Sequence, residues 1–406
     1  MNLLIFEYVS GGGYANQKLS SSILSEAYGM LRTLTSEFKA AGHNVTTLMD
    51  SRLTAFNPPN EADKIVHVSS TYEVDKKLKE LSSWVDAVYV IAPESGQVLQ
   101  KLLETIEASG GTTLNYEIGA IKWVSNKMTA QQTLEQSGLK VPETVLLDIH
   151  TKTENIRRLV KDLVYPLVFK PIDGVSCGGL SLIKDENKIA DAVKKIAQES
   201  MSSQFIAQKV IKGKAVSACV ISTGDEAVAV TLNKQRVTLA PPEGESTYNG
   251  GEVPFNHRLE KEAKKAAERA VEAVNGLKGY VGVDMILTEE EPVVIEVNPR
   301  LTTSYVGLKR VANFNTAQAI VDAVIRRKLP TNVQTRGYAF FSKVEVPSCR
   351  QVVAETYNLK DVVSPPFPIE ENTVYALIAS SSSSSRGAQS AFYRTKKRLL
   401  SLYGGD

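Results

Sequence analysis

Cysteine and histidine are scarce in this chain. Its 406 residues hold three cysteines (Cys177, Cys219 and Cys349) and four histidines, all dispersed. Neither set has metal-ligand spacing, so neither a zinc site nor a disulfide framework is expected. Charge of one sign is also lacking. A net charge of +2 gives no overall basic field for nucleic acid or a membrane surface, so neither is expected as a partner. No stretch has the length and apolarity of a membrane span. The chain opens on strand-like Leu3 to Phe6 instead of a basic segment and an apolar run, so a cytoplasmic setting is expected. The rest, 43% hydrophobic and 23% charged, is an ordinary globular composition, long enough for two to four domains and a large core.

The most informative stretch is Gly279 to Tyr305. Two apolar runs, Tyr280 to Leu287 and Val293 to Val297, flank a Glu-Glu-Glu-Pro turn, which predicts a β-hairpin. Side chains alternate along a strand, so Glu296, Asn298 and, past Pro299, Arg300 share one face, and Asp284 on the partner strand is a candidate for the same face. Oxygen donors beside a cation make a poor core. They are either a solvent-facing polar edge or a site for Mg²⁺ and phosphate, because Mg²⁺ takes hard oxygen ligands and binds one or two carboxylates plus substrate phosphates.

Strands at Leu3–Tyr8, Val45–Met49, Ile65–Val68, Ala87–Ile91 and Thr112–Leu114 alternate with helices at Glu26–Ala41 and Val98–Ala108. That order predicts a parallel, doubly wound sheet over about the first 120 residues. In such sheets ligands bind beyond the strands' C-terminal ends. Two loops fall there, Glu7 to Gly13 and Pro93 to Gly96, and Glu7, Ser10, Gly11, Gly12, Glu94 and Ser95 are the candidate substrate residues. The triple glycine is no dinucleotide fingerprint, since the G-x-G-x-x-G spacing is missing.

A helix is expected over Lys127–Ser137. The apolar strand Tyr165–Pro171 ends in Lys170, and Asp173-Gly174-Val175-Ser176-Cys177-Gly178-Gly179 joins it to Leu180–Ile183. A glycine-rich loop between strands is either an ordinary hairpin or a fold of backbone N–H groups over phosphate. Lys170 at a core rim needs an anion to offset its burial. A helix over Glu186–Glu199 and strands at Phe205–Val210, Ala215–Ile221 and Ala227–Leu232 follow. Asn233, Lys234 and Arg236 then form a polar-basic cluster, and Tyr248 to Pro254 reads as a loop. Helices are predicted over Leu259–Val274 and Thr316–Arg327. Beyond residue 331 the chain reads as a small β-rich appendage, with strands at Thr335–Val346 and Thr373–Ala379. A flexible Ser380–Ser385 run and a basic helix over Arg386–Leu400 complete it.

Taken together, these motifs resemble the ATP-grasp superfamily. The shared order is Lys127 before a helix, Lys170 with Gly174–Gly179, an adenine-side strand at Gln208–Ile211, and Asp284 with Glu296, Asn298 and Arg300. The likeness covers roughly residues 1–328. The segments YVSGGG, GKAVSACVI, TLNKQRV and YNGGEVPF are similar to an archaeal-type branch of carboxylate–amine ligases that includes tyramine–glutamate ligase. The chain departs from D-alanine–D-alanine ligases at two places. Ala215 stands where those enzymes bind ribose with a glutamate. Gly282 stands where they place an arginine two residues before the metal aspartate, which leaves Arg236 or Arg300 as its replacement.

The resemblance implies a mixed α/β ATP-grasp fold. Its parts would be a pre-ATP-grasp domain (1–120), a lid lobe (121–212), a lobe for metal and acyl phosphate (213–330) and the appendage (331–406). It implies a ligase that uses ATP to activate a carboxylate as an acyl phosphate and joins it to an amine, such as glutamate to tyramine. The alternatives are an ATP-dependent carboxylase, or an ATP-binding scaffold without ligation. Lys127, Lys170, Ser176, Gly178 and Gly179 would neutralise and cover phosphates. Gln208, Lys209, Val210 and Ile211 would hold adenine. Asp284, Glu296 and Asn298 would bind two Mg²⁺ ions (or Mn²⁺), while Arg300, Arg236 and Asn233 would hold the acceptor carboxylate or oxyanion. A homo-oligomer is compatible with the pattern.

Overall fold

The computed structural model describes residues 1–174 and 177–404. Its first sheet has strands β1 (Asn2–Glu7), β2 (Asn44–Asp50), β3 (Lys64–Val68) and β4 (Ala87–Ile91) in the parallel order β3-β2-β1-β4. Helices α1 (Ser21–Ala40), α2 (Ser51–Thr54), α3 (Thr71–Ser82) and α4 (Val98–Ala108) connect or flank them. Strand β1 is apolar on both faces because both are covered. Leu3 and Ile5 pack with Leu31, Leu34 and Phe38 of α1. Leu4 and Phe6 pack with Leu78, Leu99 and Leu103 of α3 and α4.

The strand expected at Thr112–Leu114 is reduced to a single bridge between Thr113 and Val88. The Asn115 side chain takes over the next rung: its Oδ1 accepts from the Val90 N–H and its Nδ2 donates to the Val90 carbonyl, both at 2.8 Å. That amide satisfies the edge of β4 without a further strand.

Next come α5 (Ile118–Ser125), α6 (Lys127–Gln136) and a second lobe, the one expected to be the lid, with strands β5 (Thr144–Asp148), β6 (Leu167–Pro171), β7 (Ser181–Ile183) and β8 (Gln204–Lys209). These form an antiparallel sheet, β5-β8-β6-β7. Helices α7 (Thr153–Leu159) and α8 (Ile189–Glu199) cover the face carrying Leu167, Phe169, Phe205 and Ala207. By alternation Val168, Lys170, Ile206 and Gln208 lie on the other face.

The largest sheet is antiparallel, in the order β13-β12-β9-β10-β11-β14-β16-β15. Its strands are β9 (Lys214–Gly224), β10 (Ala227–Thr238), β11 (Thr247–Val253), β12 (Leu277–Leu287), β13 (Pro292–Asn298), β14 (Tyr338–Pro347), β15 (Val362–Ser364) and β16 (Thr373–Ser382). Helix α9 (Glu260–Glu272) covers one face through Ala263, Ala267 and Val271 against Val216, Ala218, Val281 and Val283. The other face carries Cys219, Ile221 and Tyr280, packed with Tyr305 and Leu308 of α10 (Tyr305–Val311) and Ile320 of α11 (Thr316–Arg326).

Three expectations change here. Tyr248 to Val253 is strand β11, because its backbone bonds both β10 and β14. The C-terminal segment is β-rich as expected, but its strands continue the central sheet. The serine run is ordered: Ser380 to Ser382 end β16, the buried Ser380 hydroxyl donates to Asp361 at 2.5 Å, and Ser384 caps α12 (Ser385–Leu402) through the Gly387 N–H. Helix α12 is the basic helix. It seals the sheet with Ala388, Phe392 and Leu399 against Phe340 and Val344. Among the described residues no helix is long and apolar enough to cross a membrane.

Candidate active site

The hairpin is β12–β13, and its register sets the site. Asp284 stands directly opposite Glu296, and Gly282 opposite Asn298. On the other side Asp284 pairs with Ser217 of β9, which pairs with Asn233 of β10. Directly opposed residues point to one face, so Glu296, Asp284, Ser217 and Asn233 form a polar row across four strands. Alternation puts this row on the face of Cys219 and Tyr280, not under α9.

The Asp284 carboxylate is held by amides. Asn298 Nδ2 donates to Asp284 Oδ2 at 3.0 Å and Gln235 Nε2 to Asp284 Oδ1 at 2.8 Å. The sequence reading missed Gln235; its position two residues after Asn233 on one strand face was the available signal. Burial, and then the charge of Glu296, push the Asp284 carboxyl up to about 6. For Glu296 burial also works upward, but Lys127 and Lys170 outweigh it and hold the carboxyl below its ordinary value. Lys127 Nζ lies 2.9 Å from Glu296 Oε1 and also donates to the Gly174 carbonyl at 2.8 Å. Lys170 Nζ lies 3.9 Å from Glu296 Oε2. Lys170 is buried, and desolvation lowers its pKa to about 8 despite Glu296.

Gln208 lies on the Lys170 face of the lid. Its Nε2 donates to Gln131 Oε1 at 2.9 Å, one turn beyond Lys127 on α6. Lys209 pairs with Glu143 at 3.1 Å, and the Lys209 and Val210 N–H groups bond the Glu143 and Pro166 carbonyls. Ile211 follows in the same linker. Gly178 is exposed. Gly179 has φ +68° and packs on Pro171, and its N–H donates to Glu199 at 2.7 Å, so that N–H is committed within the lid. Ser176 lies outside the described residues.

Arg300 reaches the N-terminal domain, where its Nε donates to Glu94 Oε2 at 3.2 Å. Glu94 is buried and, among the described residues, its Oε1 has no partner. Ser95 is the next residue, at the start of a short 3-10 turn. Asn233 is buried, with Nδ2 directed at Ser217 Oγ and Cys219 Sγ and, among the described residues, no partner for Oδ1.

Arg236 does not join this group. Its guanidinium lies 5.4 Å over the Phe340 ring. Phe340 is opposite Glu252, which pairs with Lys234 and is bonded by Ser385 and Gln389 of α12. Arg236 is therefore on the opposite face of the sheet. Gly282 explains why no arginine precedes Asp284: a Cβ there would lie 2.5 Å from Thr302 Cγ2.

The Glu7 loop also departs from expectation. Glu7 and Ser10 are buried and bonded to each other, since Glu7 accepts from the Ser10 N–H and hydroxyl, both at 2.6 Å, and from the Val9 N–H at 3.1 Å. Gly11 packs on Phe6. Gly12, at φ +94°, packs on Val68. These glycines serve close packing of a turn, so Glu94 alone of the candidate substrate carboxylates meets the hairpin residues.

Two family models match the chain, an ATP-grasp domain over residues 124–304 and a pre-ATP-grasp domain over 43–121. Tyramine–L-glutamate ligase of Methanocaldococcus fervens is 30% identical over 309 residues, 76% of this chain and 89% of that one. The chain belongs to the ATP-grasp superfamily of carboxylate–amine ligases. A probable alpha-L-glutamate ligase of Saccharophagus degradans is 28% identical over 56% of this ATP-grasp chain and 72% of its own. The fold matches a putative ATP-grasp protein from Archaeoglobus fulgidus with a TM-score of 0.63 at 21% identity, covering 93% and 99% of the two chains. It also matches the ADP complex of N5-carboxyaminoimidazole ribonucleotide synthetase with a TM-score of 0.70 at 18% identity, covering 99% and 97%. The ATP-grasp chain is an enzyme that uses ATP, releases ADP and joins a carboxylate to an amine.

Proposed function

We propose that the carboxylate substrate is an amino acid, glutamate foremost, and that the amine is tyramine or a similar primary amine. The named substrates of the Methanocaldococcus relative support this choice. The observation that carries the chemistry is Glu296 set between Lys127, Lys170 and Asp284.

A carboxylate at neutral pH is a poor electrophile, and phosphorylation turns it into an acyl phosphate that an amine can attack. Phosphoryl transfer needs positioning and charge neutralisation more than covalent catalysis. Glu296 is the internal counter-ion of the two lysines. When ATP binds, Lys127 and Lys170 turn to its phosphate oxygens and Glu296 is released. Asp284, Glu296 and Asn298 fit Mg²⁺ or Mn²⁺: they are hard oxygen donors, two of them anionic, and the Asp284 carboxyl is raised by burial and then by the Glu296 charge beside it, which a cation there would relieve. Bound there, two ions would neutralise the triphosphate. Lid residues 174–179 would exclude water from the acyl phosphate. Arg300 would hold the carboxylate or the tetrahedral oxyanion, oriented by Glu94. Asn233 would meet the same group through whichever side of its amide faces outward, since the Ser217 hydroxyl can either donate or accept.

The test is an ADP-release screen of amino acids against amines, with mass spectrometry of products. Glutamate with tyramine should give ADP and an amide of matching mass. ADP release confined to other pairs would remove the substrate assignment. No ADP with any pair, or ADP without amide, would remove the reaction itself.

A further inference from the structure

Away from the hairpin, a second charged cluster lies on the same sheet face. Gln235 opposes Gly251, which opposes Phe341 of β14, and Lys343 follows two residues on, so Lys343 points to the face that carries Asp284 and Asn233. Its Nζ lies 2.6 Å from Glu26 Oε1 of α1 and 2.7 Å from Ser22 Oγ. Glu26 Oε2 accepts from Thr303 Oγ1 at 2.6 Å. Thr303 is three residues beyond Arg300, so one short segment runs from the guanidinium of the active site to the Glu26–Lys343 pair. Each side chain of the pair keeps about a fifth of its surface exposed. Tyr248, whose ring lies 6.5 Å from that of Phe341, has its hydroxyl raised by burial first and then by Glu26 and Asp284. The lid's Cys177 thiol, pushed up to about 11 by burial first, is also raised by Glu296, Asp284 and Glu26.

We propose that Glu26 and Lys343 form a subsite for the α-ammonium and α-carboxylate of the amino-acid substrate. This rests on the amino-acid reading of the substrate given above. A zwitterion carries both charges on one carbon, and a neutral Glu–Lys pair matches it without any change in net charge. The salt bridge opens, Glu26 takes the ammonium and Lys343 the carboxylate. Thr303 and Ser22 keep each partner oriented, which lowers the cost of ordering two long side chains. A substrate lacking the amino group would leave the half-buried Glu26 unpaired, and sites built around polar groups reject such analogues strongly.

The test compares L-glutamate with its des-amino analogue glutarate in wild type, Glu26→Gln and Lys343→Met, reading ADP release at saturating amine. Melting temperatures establish that each variant is folded, and Lys343→Arg serves as the conservative rescue. In wild type, kcat/KM for glutarate is expected to be at least about 100-fold below that for glutamate. Both substitutions should raise the glutamate KM about tenfold or more while the ATP KM stays put, and Glu26→Gln should shrink the preference over glutarate to less than about tenfold. Lys343→Arg should recover most of the glutamate KM. A wild-type enzyme that turns over glutamate while both variants keep its KM overturns the subsite and leaves the ligase reading standing. A wild-type enzyme inactive with every amino acid overturns that reading and the subsite with it.

Discussion

Arg300 and Glu94, 206 residues apart, meet through Nε and Oε2 at 3.2 Å. The bond ties the end of the β12–β13 hairpin to the C-terminal end of β4, so the loop beyond the parallel sheet and the acidic rim address one space. Glu94 keeps the guanidinium charged and oriented: burial works against the cation, and Glu94, followed by Asp284 and Glu296, outweighs it.

Arg300→Ala should lower kcat/KM by about 100-fold or more, as loss of an oxyanion donor does. Arg236→Ala should change it by less than about threefold, because Arg236 sits on Phe340 across the sheet and exposed cation–π contacts contribute only about 0.5–1 kcal/mol. Steady-state ADP release on both variants checks this. Equal losses would return Arg236 to the site.

Glu296→Gln removes the charge shared by Lys127 and Lys170 while keeping the side-chain shape. ADP release should fall by at least about 100-fold, and the melting temperature should also drop, because the largely buried Lys127 and Lys170 lose their shared carboxylate. Wild-type turnover in the folded variant would end the metal and counter-ion assignment.

Gly282→Ala places a methyl against Thr302 and should destabilise the protein by about 1–3 kcal/mol. Thr302→Ser deletes the opposing Cγ2 and should restore most of that loss in the double variant. Denaturant unfolding of the three proteins decides whether this contact is what excludes larger residues at position 282.

Glu7 gives a pH signature. Burial raises its carboxyl to about 7, against hydrogen bonds from Ser10 and Val9 that work downward. The native protein then binds more protons than the unfolded chain between pH 4.5 and about 7, so this group's contribution to stability falls as pH rises through that window and is flat above it. The full change is roughly 3 kcal/mol. Glu7→Gln should start from lower stability, having lost one acceptor, yet lack this slope. Melting curves from pH 4.5 to 8 compare the two, and parallel profiles would refute the assignment.

Much of the chemistry was legible in the sequence because it is local. Glu296 and Asn298 fall on one face by strand alternation alone, whereas Asp284 was only a candidate for it until the hairpin register set it opposite Glu296. Lys170 is conspicuous as a cation ending an apolar strand. The parallel sheet follows from alternating apolar runs and amphipathic helices. Where local pattern and tertiary pairing competed, pairing won. Tyr248 to Val253 contains two glycines and reads as a loop, yet two neighbouring strands supply its backbone partners. Asn115 replaces a strand with one side-chain amide, and no periodicity records that.

The sequence by itself determined which groups exist, and through alternation which of them share a face. Tertiary structure alone decided which distant groups meet. Arg300 is preferred over Arg236 because the two point to opposite faces of one sheet. Glu94 is preferred over Glu7 because Glu7 is consumed by its own turn. Glu26 finds Lys343 only because α1 packs against the strands that close the central sheet. Such encounters depend on strand order and register, which are set by burial of whole faces at once and leave no mark in the residues on either side of a single position.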